Sequence, residues 1–232
     1  MGEWKLPGNP PIPVLLRRSA RARRISLRVS ALDGRVTLTL PRGMAEAEAL
    51  AFARQKEAWL RGHLAGRPDE VAVTHGARVP VEGVPLTVAP AAGPAVRIAG
   101  GQLLVPGPSG RAGPALAGWL KARARDRLAA ASDRHAAALG RPYARLTLRD
   151  TRSRWGSCSA AGGLNYSWRL ILAPPAILDY VAAHEVAHLA EMNHSPAFWA
   201  VVERLYGDWR PARRWLHENG AGLHRYRFAP SA

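Results

Sequence analysis

Residues 184–196 read His184-Glu185-Val186-Ala187-His188-Leu189-Ala190-Glu191-Met192-Asn193-His194-Ser195-Pro196. On a helix, residues four apart lie one turn apart on the same face. Both imidazoles of His184 and His188 therefore reach a single metal ion. Glu185 sits about 100° round from His184. From that edge it reaches a water beside the metal without binding the metal itself. This is the physical content of the HExxH zincin motif, in which the glutamate is the general base of a metal-dependent hydrolase. Ile177 and Val181 fall close to the His184 direction and make that flank of the helix apolar. Two histidines and a glutamate buried together without a metal would be costly.

A catalytic zinc has three protein ligands and one open position. His194 is the expected third ligand. The chain leaves the helix through Asn193, which tolerates the left-handed turn. His194 then directly precedes a helix start, with Ser195 as N-cap and Pro196 at the first helical position. Glu203, on that next helix, is the competing ligand. The spacing of His184, His188 and His194 also matches metzincins, but those carry Gly three residues after the second histidine, where this chain has Glu191. No methionine follows Met192 to form their downstream turn. The three-His ligand set stands and the metzincin assignment does not.

Working outward, Pro174-Pro175 starts the motif helix, expected to run to about Met192. The helix from Ser195-Pro196 is expected to end near Tyr206-Gly207, with a last one over about 210–218. Upstream, residues 114–139 form a long Ala-, Leu- and Arg-rich helix ended by Gly140 and Pro142. Leu146 and Leu148 begin a strand, and 154–158 and 163–170 read as two more around Gly162-Gly163. The 163–168 strand is expected to pair with an extended substrate. In the first half, residues 1–13 carry four prolines and no periodicity and read as a tail. Ile25, Leu27 and Val29, then Val36, Leu38 and Leu40, alternate with polar residues around Asp33-Gly34, a hairpin signal. Residues 44–64 read as a helix. Short strands follow at 78–81, 86–89, 96–98 and 103–105, and Pro106-Gly107-Pro108-Ser109-Gly110 marks a boundary. No internal repeat is visible. The fold class is α+β.

The chain has 232 residues, 47% hydrophobic and 22% charged, ordinary for a globular protein. No apolar run reaches 18 residues, so no membrane span is expected. The N-terminus shows no secretory signal, and the single cysteine, Cys158, excludes an intrachain disulfide. A cytoplasmic protein is expected. One cysteine also argues against a closed structural zinc site, which is mostly built from Cys. Cys158 lacks a local nucleophile signature and reads as a structural thiol. The net charge is +16, and the densest basic cluster is Arg17, Arg18, Arg21, Arg23 and Arg24. That surface allows nucleic-acid contact, although an Ala-, Arg-, Gly- and Pro-rich composition produces scattered arginines without any partner. Trp155, Trp168, Trp199, Trp209 and Trp215 read as core residues.

The run Arg154-Trp155-Gly156-Ser157-Cys158, then Asn165, Trp168-Arg169-Leu170-Ile171-Leu172-Ala173-Pro174-Pro175, the motif helix, and Asn193-His194-Ser195-Pro196-Ala197-Phe198-Trp199 resembles the YgjP-like metallopeptidases, which are similar to the SprT and Spartan zinc proteases. The resemblance is close over 114–232 and weaker before it. It implies a β-rich N-terminal region with one helix over 1–108 and a zincin-like metallopeptidase domain over 109–232. It implies Zn²⁺ on His184, His188 and His194, Glu185 as catalytic base, and a wall near the site from Arg154-Trp155-Gly156. Arg154, Trp155 and Tyr166 are the expected substrate-binding residues, and Arg154, Tyr166 and His217 the candidates for the oxyanion donor. The expected substrate is a polypeptide. Two other readings keep the metal: a nucleotide phosphohydrolase, and a DNA-associated protease acting on nucleic-acid-bound proteins. The first lacks a phosphate-cradling Gly-rich loop and a carboxylate cluster for Mg²⁺.

Overall fold

The structure is a computed structural model that describes residues 2–30, 34–65, 69–151 and 153–229. It divides into two compact units, 1–69 and 70–232. Residues 70–108, which the sequence groups with the N-terminal region, fall in the second unit together with 109–232.

In the first unit, β1 (Gly2–Leu6), β2 (Ile12–Ser19), β3 (Ser26–Val29) and β4 (Val36–Pro41) form one sheet in the order β1-β2-β4-β3. The expected antiparallel pair of β3 and β4 is present, with Leu27 opposite Leu38. Asp33 of the expected turn lies outside the described residues. Residues 1–13 do not form a tail. Trp4 pairs with Val14 across β1 and β2, and Leu6 and Ile12 are buried. The prolines cluster in the connection between these strands and mask the short apolar strands on either side. The helix expected over 44–64 is divided into α1 (Glu46–Gln55) and α2 (Glu57–Ala65). The break is at Lys56, whose N–H is shared between the Phe52 and Ala53 carbonyls. Ala49, Ala53 and Leu60 from these helices complete a core with Val14, Leu16, Leu38 and Leu40.

The second unit opens with β5 (Val71–Ala72) and a sheet of β6 (Arg78–Val81), β7 (Val84–Ala91), β8 (Arg97–Ala99) and β9 (Gln102–Pro106), ordered β6-β7-β9-β8. The long helix α3 (Ser109–Leu139) follows. Ala112, Leu116, Leu120, Ala124 and Leu128 recur every four residues along it and are all buried. Gly140, at φ 73°, ends it in the left-handed conformation the sequence indicates. A second sheet places β12 (Gly163–Ser167) between β10 (Arg145–Arg149), parallel to it, and β11 (Gly156–Cys158), antiparallel. Residues 168–172 are a 3₁₀ turn rather than a continuation of the strand. Then come α4 (Pro175–Ala187), α5 (Pro196–Tyr206), α6 (Arg210–Asn219) and the short β13 (Tyr226–Arg227), paired with β5. α4 packs on α3, α5, α6 and β11, so it is the central helix of the unit. The architecture is α+β, β-rich at its start, with the histidine cluster in a zincin-like helical C-terminal region. Among the described residues, no helix is long and apolar enough to cross a membrane.

Arg169 ties the 3₁₀ turn to its surroundings. Its guanidinium is nearly buried, donates to both Asp150 carboxylate oxygens at 2.7 and 3.2 Å, and reaches the Leu223 and Tyr226 carbonyls at 3.2 and 3.1 Å. Burial works to raise the Asp150 carboxyl, but the Arg169 hydrogen bonds and charge outweigh it and hold it below its ordinary 3.8. A lowered folded value adds stability above the unfolded value, and that stability is lost as pH falls through the folded value. Asp150→Asn is therefore expected to cost about 1–2 kcal/mol at pH 7, the low end for a charge-assisted bond because Asp150 is half exposed. The difference from the parent should shrink below about pH 4. Urea melts of both proteins from pH 7 to pH 3 check this, and a pH-independent difference would refute the ionic origin.

Candidate active site

α4 supplies His184 and Glu185, and His188 is its C-cap. The helix stops here and not at Met192. The N–H groups of Leu189 and Ala190 turn back to the Val186 and Ala187 carbonyls, three residues behind, which tightens the last turn. That turn also orients the His188 ring. His188 Nδ1 lies 3.0 Å from the Glu191 carbonyl, so it carries the proton and donates, and Nε2 is left with its lone pair. His184 Nδ1 is buried without such a partner, so packing against Tyr180, Phe198 and Trp199 sets that ring.

Ser195 caps α5 by accepting from the Phe198 N–H at 3.4 Å. This places His194 over α4, its Nε2 3.1 Å from His184 Nε2. One nitrogen from each of His184, His188 and His194 lies within 4.8 Å of the others, an arrangement able to hold a metal ion. Nitrogens about 2.1 Å from a tetrahedral ion stand about 3.4 Å apart, which this cluster spans. Phe198, fully buried, packs its ring at 4.9, 4.5 and 4.7 Å from the three imidazoles and closes the back of the cluster. Glu203 is elsewhere. It is exposed and lies 3.6 Å from the Arg210 guanidinium.

The environment keeps His184 and His188 neutral. Burial, then the neighbouring His188 and His194, lower His184 to about 3. Burial also outweighs the Glu191 bond and lowers His188. Neutral rings with free lone pairs are what a metal requires. Glu185 is 5% exposed, and burial pushes its carboxyl up to about 8 against the opposing effects of Arg154 and the Cys158 N–H, which donates to it.

Gly156 on β11 lies against the Glu185 side chain. A Cβ there would stand 2.5 Å from Glu185 Cγ and Oε1. Only a residue without a side chain lets β11 run this close to α4. Gly156→Ala is expected to displace the carboxylate, keep the bound metal, and lower kcat about 100-fold, the usual cost of moving a reacting group by 1 Å. Metal content and kcat measured together check this. Full activity in the alanine variant would show that Glu185 need not sit here.

The expected substrate residues do not all converge. Arg154 is exposed and close enough for its charge to act on Glu185. Trp155 is half-buried and packs on His224, 5.1 Å between rings, and on Gly220. Tyr166 is fully buried, and its hydroxyl is 3.0 Å from Ser132 Oγ, so it faces the α3 core. His217 lies on the exposed side of α6. Two groups have no signature in the sequence motif. The Cys158 N–H bonds Glu185, on a strand that is the edge of its sheet. Arg213 stacks 5.3 and 5.6 Å over Trp199 and Trp209, and its charge reaches His184. The Cys158 thiol is pushed up by burial and by Glu185, which keeps it protonated and unreactive.

The model of the YgjP-like family, metallopeptidase domain, matches residues 23–219. The chain belongs to the YgjP-like metallopeptidases. The match takes in the whole histidine cluster and most of both compact units. A solved structure, the metallopeptidase zymogen of Pyrococcus abyssi abylysin, is 23% identical to this YgjP-like chain, covers 44% of it and 97% of its own length, and has a TM-score of 0.35. No curated protein matches. Membership makes the protein a metallopeptidase with polypeptide as its substrate class, and the three-His cluster is able to hold a metal ion.

Proposed function

We propose that this YgjP-like protein is a zinc-dependent peptidase of the HExxH type, with Zn²⁺ held by His184, His188 and His194 and Glu185 as general base. The observation that carries the reading is the convergence of the His184, His188 and His194 imidazoles beside the buried Glu185 carboxylate, one residue along the helix from His184. All-nitrogen donors suit zinc better than the oxygen-preferring Mg²⁺ or Ca²⁺. Zinc, when bound, would supply a Lewis acid that polarises the scissile carbonyl and lowers the pKa of a water to about 7. Glu185 takes a proton from the attacking water and delivers it to the leaving amine. A carboxyl held near neutrality by burial is matched to both transfers, and a cation beside it lowers its value toward the working pH. Arg154, already close to Glu185, is the donor best placed to stabilise the oxyanion, because Tyr166 is turned into the core and His217 away from it.

Substrate pairing moves to a different strand from the one the sequence indicates. β12 is bonded on both sides, to β10 and β11, and has no free edge. β11 has one, beside Glu185, and an extended polypeptide adding there would lie across the site with little sequence preference. All of the proposed catalytic groups come from 154–194, within the 109–232 segment.

The test offers zinc-loaded protein an unfolded polypeptide and, separately, nucleoside triphosphates. Peptide release that a chelator abolishes and zinc restores is the expected result. Triphosphate cleavage without peptide release would overturn the peptidase reading.

A further inference from the structure

The excess positive charge is not spread evenly over the protein. In the second unit Arg123 and Arg127 are tied to Glu82, Arg134 to Asp179 and Arg169 to Asp150. In the first unit Arg17, Arg21, Arg23, Arg24, Arg28 and Lys56 are exposed, and among the described residues none of them has a carboxylate partner. A composition bias alone gives scattered cations, not an unneutralised group on β2, β3 and their connection.

Beside that group lies a groove of about 480 Å³, walled by Arg24 and Ile25 just before the edge strand β3, by Leu27 of that strand, and by Phe52, Lys56 and Trp59 of the helical side. Trp59 is 42% exposed, and among the described residues it is the one large apolar side chain of this unit left so open. It is held in place. His63, one turn on, packs its ring 4.2 Å away, and its Nδ1 lies 3.1 Å from the Trp59 carbonyl. The indole is thus a braced flat surface with cations on its rim.

We propose that this groove binds single-stranded nucleic acid, with a base stacked on Trp59 and backbone phosphates on Arg24, Lys56 and the neighbouring Arg21, Arg23 and Arg28. Phosphates at every nucleotide match the unneutralised cations, and an unpaired base offers the flat apolar face that the indole needs. A duplex supplies the phosphates but keeps its base faces stacked. An acidic polypeptide supplies charge without a ring for Trp59. The proposal does not rest on the peptidase reading.

The test uses the full chain and a fluorescently labelled 20-nucleotide oligo-deoxythymidine, read by anisotropy over a series of salt concentrations. Binding should weaken with salt. Trp59→Ala should weaken it about tenfold or more at every salt, as loss of one stacked base does. Trp59→Phe should recover most of that loss, which separates stacking from a folding defect. The Arg24→Ala/Lys56→Ala double variant should instead flatten the salt dependence, by about 0.7 in the log–log slope for each phosphate contact removed. Equal binding by wild type and Trp59→Ala, equal competition by a duplex of the same length, or displacement by poly-glutamate at matched charge would each overturn the proposal. The last two outcomes would make the surface a binder of polyanions in general.

Discussion

Glu185→Gln is expected to retain one equivalent of zinc and to lose about 10²–10⁴-fold in kcat. The amide keeps the size of the carboxylate. It still accepts from the Cys158 N–H and still fits under Gly156, so neither α4 nor β11 has to move. It cannot take a proton. The loss should therefore fall equally on kcat and kcat/KM, as it does when an interaction made only in the transition state is removed. Metal content by mass spectrometry, a thermal melt and initial rates on an unfolded polypeptide are the three measurements. Retained activity would end the general-base assignment. Loss of zinc together with activity would show that the carboxylate supports the metal instead.

His194→Ala is expected to weaken zinc binding by more than the roughly 10–100-fold typical of outer partners of a metal site. It should leave the fold intact, because His194 is exposed and Ser195 still caps α5 through the Phe198 N–H. Two ligands from one helical turn remain, and two imidazoles leave half of a tetrahedral ion to water. Competition with a chelator of known affinity measures the loss. Unchanged affinity would call for Glu203 as replacement ligand. That carboxylate would first have to leave Arg210.

The local features of the site were legible in the sequence because their geometry is intrinsic to a helix. The His184–His188 spacing, the Pro175 start, the Ser195 cap and the Gly140 stop each depend on residues within one turn. The same holds for β3 against β4, where alternation marks the buried face. β1 was not legible, since the five residues before Pro7 are too few for a period to emerge. Nor was the end of α4, where the sequence continues with helix formers and only the turn from Leu189 to Glu191 stops it.

The rest depends on chain segments that meet from a distance. Glu185 takes its position from Gly156 and Cys158, some thirty residues earlier, on a strand whose place at the sheet edge is set by β10 and β12. Tyr166 and Arg154 carry similar functional promise as residue types, and only packing turns one toward Ser132 and leaves the other beside the glutamate. The exposure of Trp59 and the lack of partners around Arg24 are likewise properties of a surface and not of a spacing. The sequence by itself determined the motif helix, its two histidines and the candidate glutamate, because side chains one turn apart share a face wherever the helix sits. Tertiary structure alone brought His194 beside His184 and left Glu203 beside Arg210, made β11 the free edge, and buried Glu185 enough to raise its carboxyl. Those outcomes depend on distance and desolvation between segments remote in the chain, and neither leaves a periodic mark on the sequence.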